Sequence, residues 1–242
     1  MTDSTLIAGV GTHKVDREFL RRLPVPQGTD THRPIPHIQI VEALIETLGF
    51  RHINVTADEY AVSRDGAKMF GLIELDHEFS GVRFAIGLRN ANDKSMRLAL
   101  TVGYRVVVCS NMMFQGDFSP LLSKHSKNFN LVDALSVGVD RIQRGLEPLQ
   151  RSICDWRANI LTPSDARLVI YEAFVEAKIA PPRLLPAVHQ HFFNPQVEEF
   201  KDATLWSLSN AFTSAFKELK AFQQYRATGR LAPFLNKFYR PF

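Results

Sequence analysis

The feature that most constrains this chain is a single change of hydrophobic period. Between about residues 51 and 110 apolar side chains alternate, and after Asn111 they recur at spacings of three and four. Alternation puts successive side chains on opposite faces of a strand, whereas the longer spacing aligns them along one face of a helix. Strands first and helices afterwards is the signature of the α+β class. The expected fold is therefore α+β: a leading helix, an antiparallel meander sheet of about six strands, and a helical C-terminal half.

Local signals place the elements. Ile38, Val41, Leu44, Ile45 and Leu48 share a helical face, and Gly49 supplies a stop. Ile53 and Val55 predict one short strand and Tyr60 and Val62 a second. Arg64-Asp65-Gly66 is a hairpin signal whose return strand holds Met69, Gly71 and Ile73. Val82 to Leu88, Arg97 to Val102 and, past a break at Gly103, Tyr104 to Cys109 complete the meander.

Farther on, Asn130 can cap a helix carrying the stripe Leu135, Val139, Ile142, Leu146, Leu149, Ile153, Trp156 and Ile160. Its alternating spacings of four and three form a heptad pattern, open to intramolecular packing or to a homo-oligomer, and Pro148 is expected to kink or split it. Thr162-Pro163-Ser164-Asp165 starts another helix, with a capping Thr and Pro at the first helical position. Leu205, Leu208, Phe212 and Leu219 mark a further amphipathic helix. Pro24, Pro26, Pro34 and Pro36 keep helix out of the opening segment. The resulting plan is an extended arm over 1–37, a helix and sheet over 38–115, and a helical half over 116–242 that packs on the sheet.

Charge divides along the same line. Residues 1–115 carry 13 basic and 13 acidic side chains, and the remainder carry 16 and 12, so the formal net charge of +4 arises in the helical half. Its densest part is the tail 216–242, where Lys217, Lys220, Arg226, Arg230, Lys237 and Arg240 face a single acid, Glu218. Seven aromatics, Tyr225 and Tyr239 among them, interleave with these cations. Cations that neutralise phosphates, beside rings on which bases stack, are what single-stranded nucleic acid requires. The same composition also suits a terminal helix whose rings pack inward while its cations stay in water. Arg83, Arg97 and Arg105 extend the candidate phosphate contacts onto the strands.

Catalytic and metal motifs are missing: there is no Walker loop, no G-x-G-x-x-G, no G-x-S-x-G and no H-E-x-x-H. His189 and His191 sit two apart in a helical context, where they diverge, so no metal and no cofactor is expected. Cys109 and Cys154 form neither a C-x-x-C pair nor a disulfide framework. No basic, then apolar, leader opens the chain and no apolar run is long enough for a membrane span, so a cytoplasmic protein without membrane contact is expected.

Two polar segments interrupt the strands. Asn90, Asn92, Asp93 and Ser95 lie between two of them, and Cys109 and Asn111 follow the last. Such residues fix turns through their own backbone, and they also hold ligands by hydrogen bonds. Pairing of neighbouring strand ends would gather both segments into one polar sheet-edge site. A strand ending in Asn90, a loop with Asn92, Asp93 and Ser95, and a strand closing on Arg105, Val106, Val107, Cys109 and Asn111 resembles a phage- and plasmid-related family, domain of unknown function 932. The resemblance covers roughly residues 49–160 and is strongest over 84–114. It departs at Asn92, where the family commonly has His, and at Lys94, where it commonly has Gly. The family has no assigned activity, so the resemblance implies a mobile-element setting and no reaction.

These readings converge on a non-enzymatic DNA-associated protein of a phage, plasmid or integrated element, binding or annealing single-stranded DNA in recombination. The alternative is a protein-binding module acting on a host defence or replication factor through the arm from Val10 to Pro36 and the aromatic tail. The third is an enzyme using the polar sheet edge.

Overall fold

The computed structural model describes residues 12–109, 111–114 and 119–239. In chain order the strand-rich part forms β1 (Thr12–Val15), α1 (Arg17–Arg22), α2 (His37–Phe50), β2 (Val55–Ser63), β3 (Lys68–Phe79), β4 (Val82–Ala91), β5 (Leu98–Val106), β6 (Met112–Phe114) and β7 (Leu121–Ser123). There follow α3 (Leu131–Ala158), α4 (Pro163–Tyr171), a π-helical turn (Glu172–Glu176), α5 (Leu185–Phe193), α6 (Leu205–Phe216) and α7 (Ala221–Asn236). The α+β class and the antiparallel meander are as the periodicity predicts. The strand order is β1-β2-β3-β4-β5-β6, with β7 pairing the start of β5.

The chain forms two compact units, and neither is contiguous. One comprises Met1–Tyr104 with Phe118–Gly145, the other Arg105–Asp117 with Leu146–Phe242. The expected boundary between residues 115 and 116 therefore does not separate them. The polypeptide passes between units three times, inside β5, between Asp117 and Phe118, and inside α3. Among the described residues no helix is long and apolar enough to cross a membrane.

In the first unit the structure corrects three readings. The arm is not free of helix, because α1 forms at Arg17–Arg22, and β1 ahead of it pairs antiparallel with β2, Thr12 opposite Ser63. Asp16 then caps α1 by accepting from the Phe19 N–H, and α1 ends just before Pro24. Arg17 clasps Asp58 of β2 through two bonds of 2.7 and 2.9 Å. Second, the two short strands at 53–62 are one strand with a bulge. Val55 faces Leu75 while Ala57 faces Glu74, so Thr56 is an extra residue. An extra residue reverses the alternation, which explains why the apolar positions switch from odd (Ile53, Val55) to even (Tyr60, Val62). Third, Gly103 does not break β5, which is buried on both faces from Leu98 to Tyr104.

The hairpin at Arg64-Asp65-Gly66 forms as expected. Gly66 adopts φ +68°, and Asp65 accepts from the Ser63 hydroxyl and the Ala67 N–H. Gly71 has a different task. It lies opposite Tyr60 on β2, whose ring would stand 3.0 Å from an added Cβ. A valine at position 71 has to push that buried ring off the sheet, so Gly71→Val is expected to cost roughly 1–3 kcal/mol in urea unfolding. A midpoint equal to the parent's would show that the ring moves freely.

α3 is a single helix that contains Pro148. Asn130 caps it, its side-chain oxygen accepting from the Val132 and Asp133 N–H groups. Leu135, Val139, Ile142, Leu149, Ile153 and Trp156 are buried, Leu146 is half-exposed, and Ile160 lies past the helix end at 79% exposure. Six of the eight stripe positions are thus buried. Near the start of α3, Gly138 fits against Leu100 and Leu121, and Asp140 and Ser136 receive the guanidinium of Arg51 at 2.6 Å each.

In the second unit α4 begins with the predicted box: Thr162 accepts from the Asp165 N–H, and Asp165 reaches back to the Thr162 N–H. α6 differs from its amphipathic reading, since every residue except Ser214 is buried and Leu219 lies beyond its end. Its polar side chains close onto the helix itself. Ser209 and Asn210 donate to the Trp206 carbonyl, and Thr213 donates to that of Ser209. A helix whose polar groups are satisfied in this way can be covered on all sides.

Candidate nucleic-acid interface

α7 folds as a helix with a buried side of Ala227, Thr228, Leu231, Ala232 and Leu235. At 100° per residue, Gln223, Arg226, Arg230 and Lys237 fall within about 60° of one another on the opposite side. All four are exposed, and the helix contains no carboxylate. Arg226 and Arg230 are about 6 Å apart along the axis, with Lys237 about 10 Å farther.

Beside this face lies a cleft of about 560 Å³, bounded by the π-helical turn, the segment Lys178–Pro182 and the start of α7. Phe174, Ile179, Leu219 and Ala227 form its buried apolar floor. Lys178, Arg226 and Arg230 line it, and among the described residues no carboxylate does. Lys178 holds a left-handed φ of +49°, which turns the chain after the π-helical turn. Arg230 fixes that turn by donating to the carbonyls of Lys178, at 2.9 Å, and Ala177. A guanidinium there also opposes the negative end of the preceding helix.

The remaining candidate cations divide. Arg97 and Lys220 are exposed. Arg83 is neutralised by Glu78 at 3.2 Å and Glu74 at 3.8 Å. Arg105 is half-buried and engaged. Lys217 donates to the Cys109 carbonyl. Arg240 lies outside the described residues. Both tyrosines turn inward: Tyr225 packs on Phe114 at 5.2 Å, and Tyr239 is half-buried, with that burial and Asp155 nearby raising its pKa. Neither tyrosine therefore stands open as a stacking ring.

The polar sheet-edge site does not assemble. Its first segment precedes β5 and its second follows it, so a nine-residue strand separates them. Asn90 and Asn92 instead hold the arm. The Asn90 amide donates to the Ile35 carbonyl at 3.4 Å and to His37 Nδ1 at 2.8 Å, and Asn92 Oδ1 accepts from the Ile35 N–H at 3.1 Å. With Nδ1 accepting, His37 donates through Nε2 to the Gly66 carbonyl, and burial lowers its pKa. Asp93 closes its own turn by accepting from the Ser95 N–H and hydroxyl, and it pairs with Lys68 at 3.3 Å. Asn111 is buried and donates to the Asn210 carbonyl and side-chain oxygens. Burial, chiefly, pushes the Cys109 thiol up, which leaves it a poor nucleophile.

Sequence reasoning missed Lys178 and Gln223. Gln223 sits on the α7 face and was legible from the same 100° arithmetic, whereas nothing in the local sequence marks Lys178 as cleft-lining. No family model, curated protein or solved structure matches the chain.

Proposed function

We propose that this protein binds single-stranded nucleic acid through the cationic face of α7, without catalysis. The observation that carries this reading is the row Arg226, Arg230 and Lys237 on one exposed helix face that lacks any acid. Three cations in a row match the repeating charge of a phosphate backbone, whose neutralisation releases counterions and makes affinity fall with salt. A setting in a phage, plasmid or integrated element follows from the resemblance over residues 84–114 alone.

Fluorescence anisotropy of a labelled oligonucleotide, titrated across a salt series, tests the reading. For a single strand the slope of log affinity against log salt is expected to change by about 0.7 for each phosphate contact removed. Arg226→Gln with Lys237→Gln should therefore flatten it by about 1.4. Arg83→Gln, at a cation already neutralised by Glu74 and Glu78, should leave it unchanged. No binding of any strand at low salt, or a slope unmoved by the double substitution, would refute the proposal.

A second reading, docking of a protein partner, draws on Leu168 and Tyr171 of α4, which are 51% and 52% exposed one turn apart. That pair contributes nothing to phosphate binding, so Leu168→Ser with Tyr171→Ser separates the two readings. Unaltered oligonucleotide affinity in this variant assigns the patch elsewhere.

A further inference from the structure

We propose that the cleft beside α7 receives one unstacked base of the bound strand, so that the protein selects single strands over duplex. The inference rests on the α7 reading and adds to it the chemistry of the group that enters the cleft.

Three properties of the cleft support this occupant. Its volume of about 560 Å³ lies within the range of pockets that take small organic ligands. Its interior is apolar, with Phe174, Ile179, Leu219 and Ala227 all buried, while the charges of Lys178 and Arg226 stand exposed with the rest of the side-chain cations. A nucleotide has that division: an apolar base face joined through a sugar to an anion. A strand whose phosphates follow Arg226 and Lys237 brings its bases alongside this opening, because Arg226 belongs both to the cation row and to the cleft lining. Gln223, exposed at the same edge, carries one acceptor and two donor hydrogens for the polar rim of a base.

The cleft is also preformed. Lys178 holds its left-handed turn, and Arg230 bonds to both carbonyls of that turn, so the wall is fixed by contacts within the protein. A wall that needs no ordering on binding leaves more of the contact free energy to appear as affinity. In a duplex the base is stacked and its pairing edge is occupied, so it enters only after unpairing. Extruded and unpaired bases are the form in which apolar and aromatic surfaces recognise single strands.

The test uses the full chain and three labelled probes of equal length: a thymidine oligonucleotide, the same strand with abasic sites throughout, and a duplex. Phosphate number is the same in the first two, so only the bases differ. The thymidine strand is expected to bind about tenfold or more tightly than the abasic strand, in line with the typical worth of base stacking. Duplex is expected to bind less tightly than the thymidine strand at matched salt. Ala180→Leu, which fills the cleft, should reduce thymidine-strand affinity to the abasic level and leave abasic binding unchanged. Because Ala180 is buried and that variant need not fold, the abasic comparison on the unaltered protein stands alone. Equal affinity for thymidine and abasic strands would overturn the base pocket while leaving α7 as a phosphate surface. Loss of all binding at low salt would remove both readings together.

Discussion

Truncation of Phe212 to alanine is expected to cost about 3–5 kcal/mol of stability, measured by urea unfolding of the second unit. The side chain is fully buried in α6, with Phe174 at 5.8 Å and Phe216 at 6.0 Å between ring centroids. α6 is covered on nearly every side, so its surroundings have little freedom to collapse into the space left behind. A loss below about 1 kcal/mol would mean that the neighbouring rings repack, contrary to this account. The substitution has a second readout. Phe174 contributes to the cleft floor, and removal of the ring it packs on is expected to loosen that floor and weaken discrimination between thymidine and abasic strands. Salt dependence, set by α7 cations, should persist wherever the variant remains folded.

Acid acts on the first unit through a different group. His125 is 4% exposed, its ring lies parallel to Phe129 at 6.4 Å and near-parallel to His32 at 5.6 Å, and among the described residues neither ring nitrogen has a hydrogen-bond partner. Burial, with smaller effects from the His32 and His37 imidazoles, lowers its pKa from 6.5 to about 4. The unfolded chain therefore binds more protons than the folded one between those values. Stability from this group is complete above about pH 6.5, declines as the pH falls toward about 4, and levels off below. The full decline amounts to up to about 3 kcal/mol. His37 is lowered in the same direction, so the unaltered protein contains both contributions. His125→Phe keeps a flat ring and removes one of them. Urea midpoints at a series of pH values should therefore fall less steeply for the variant, and parallel curves would refute the assignment. The Arg33 N–H donates to the His125 carbonyl, and His32 bridges Ser126. Exchange protection in the segment around Arg33 is expected to be lost first on acidification.

What was legible in the sequence depended on how locally each feature is determined. The Thr162–Asp165 box and the Gly66 turn are complete within four residues, and both form as read. The bulge at Thr56 was half legible, because the change of phase was visible and its cause lay in pairing with β3. β1 was hidden, since a short polar strand such as Thr12–Val15 is held by its partner rather than by its own propensity. α6 looked amphipathic because Ser207, Ser209, Asn210 and Thr213 count as polar until their bonds to nearby groups are known.

The candidate site follows the same rule. Arg226, Arg230 and Lys237 share a face by helix geometry alone. The neutralisation of Arg83 by Glu74 and Glu78, and the retention of Lys217 by Cys109, depend on contacts across the fold. The stacked pair His32 and His125 lies more than ninety residues apart in sequence, and no local pattern joins them.

The interleaving of the two units has a consequence for biosynthesis. β6 is entirely buried and lies against α7, with Phe114 on Tyr225. It leaves the ribosome about a hundred residues before that helix exists. At the typical pace of translation this is a delay on the order of 5–20 s, during which Met112, Met113 and Phe114 have no native cover. The first unit is also incomplete until residue 145 emerges, because β7 and the start of α3 arrive after the chain has left to supply β6. Nascent chains halted before α7 thus carry an adhesive apolar strand that the finished molecule conceals. Chaperone dependence should be concentrated in that interval, and a break in the chain between residues 115 and 116 would leave both units short of a segment.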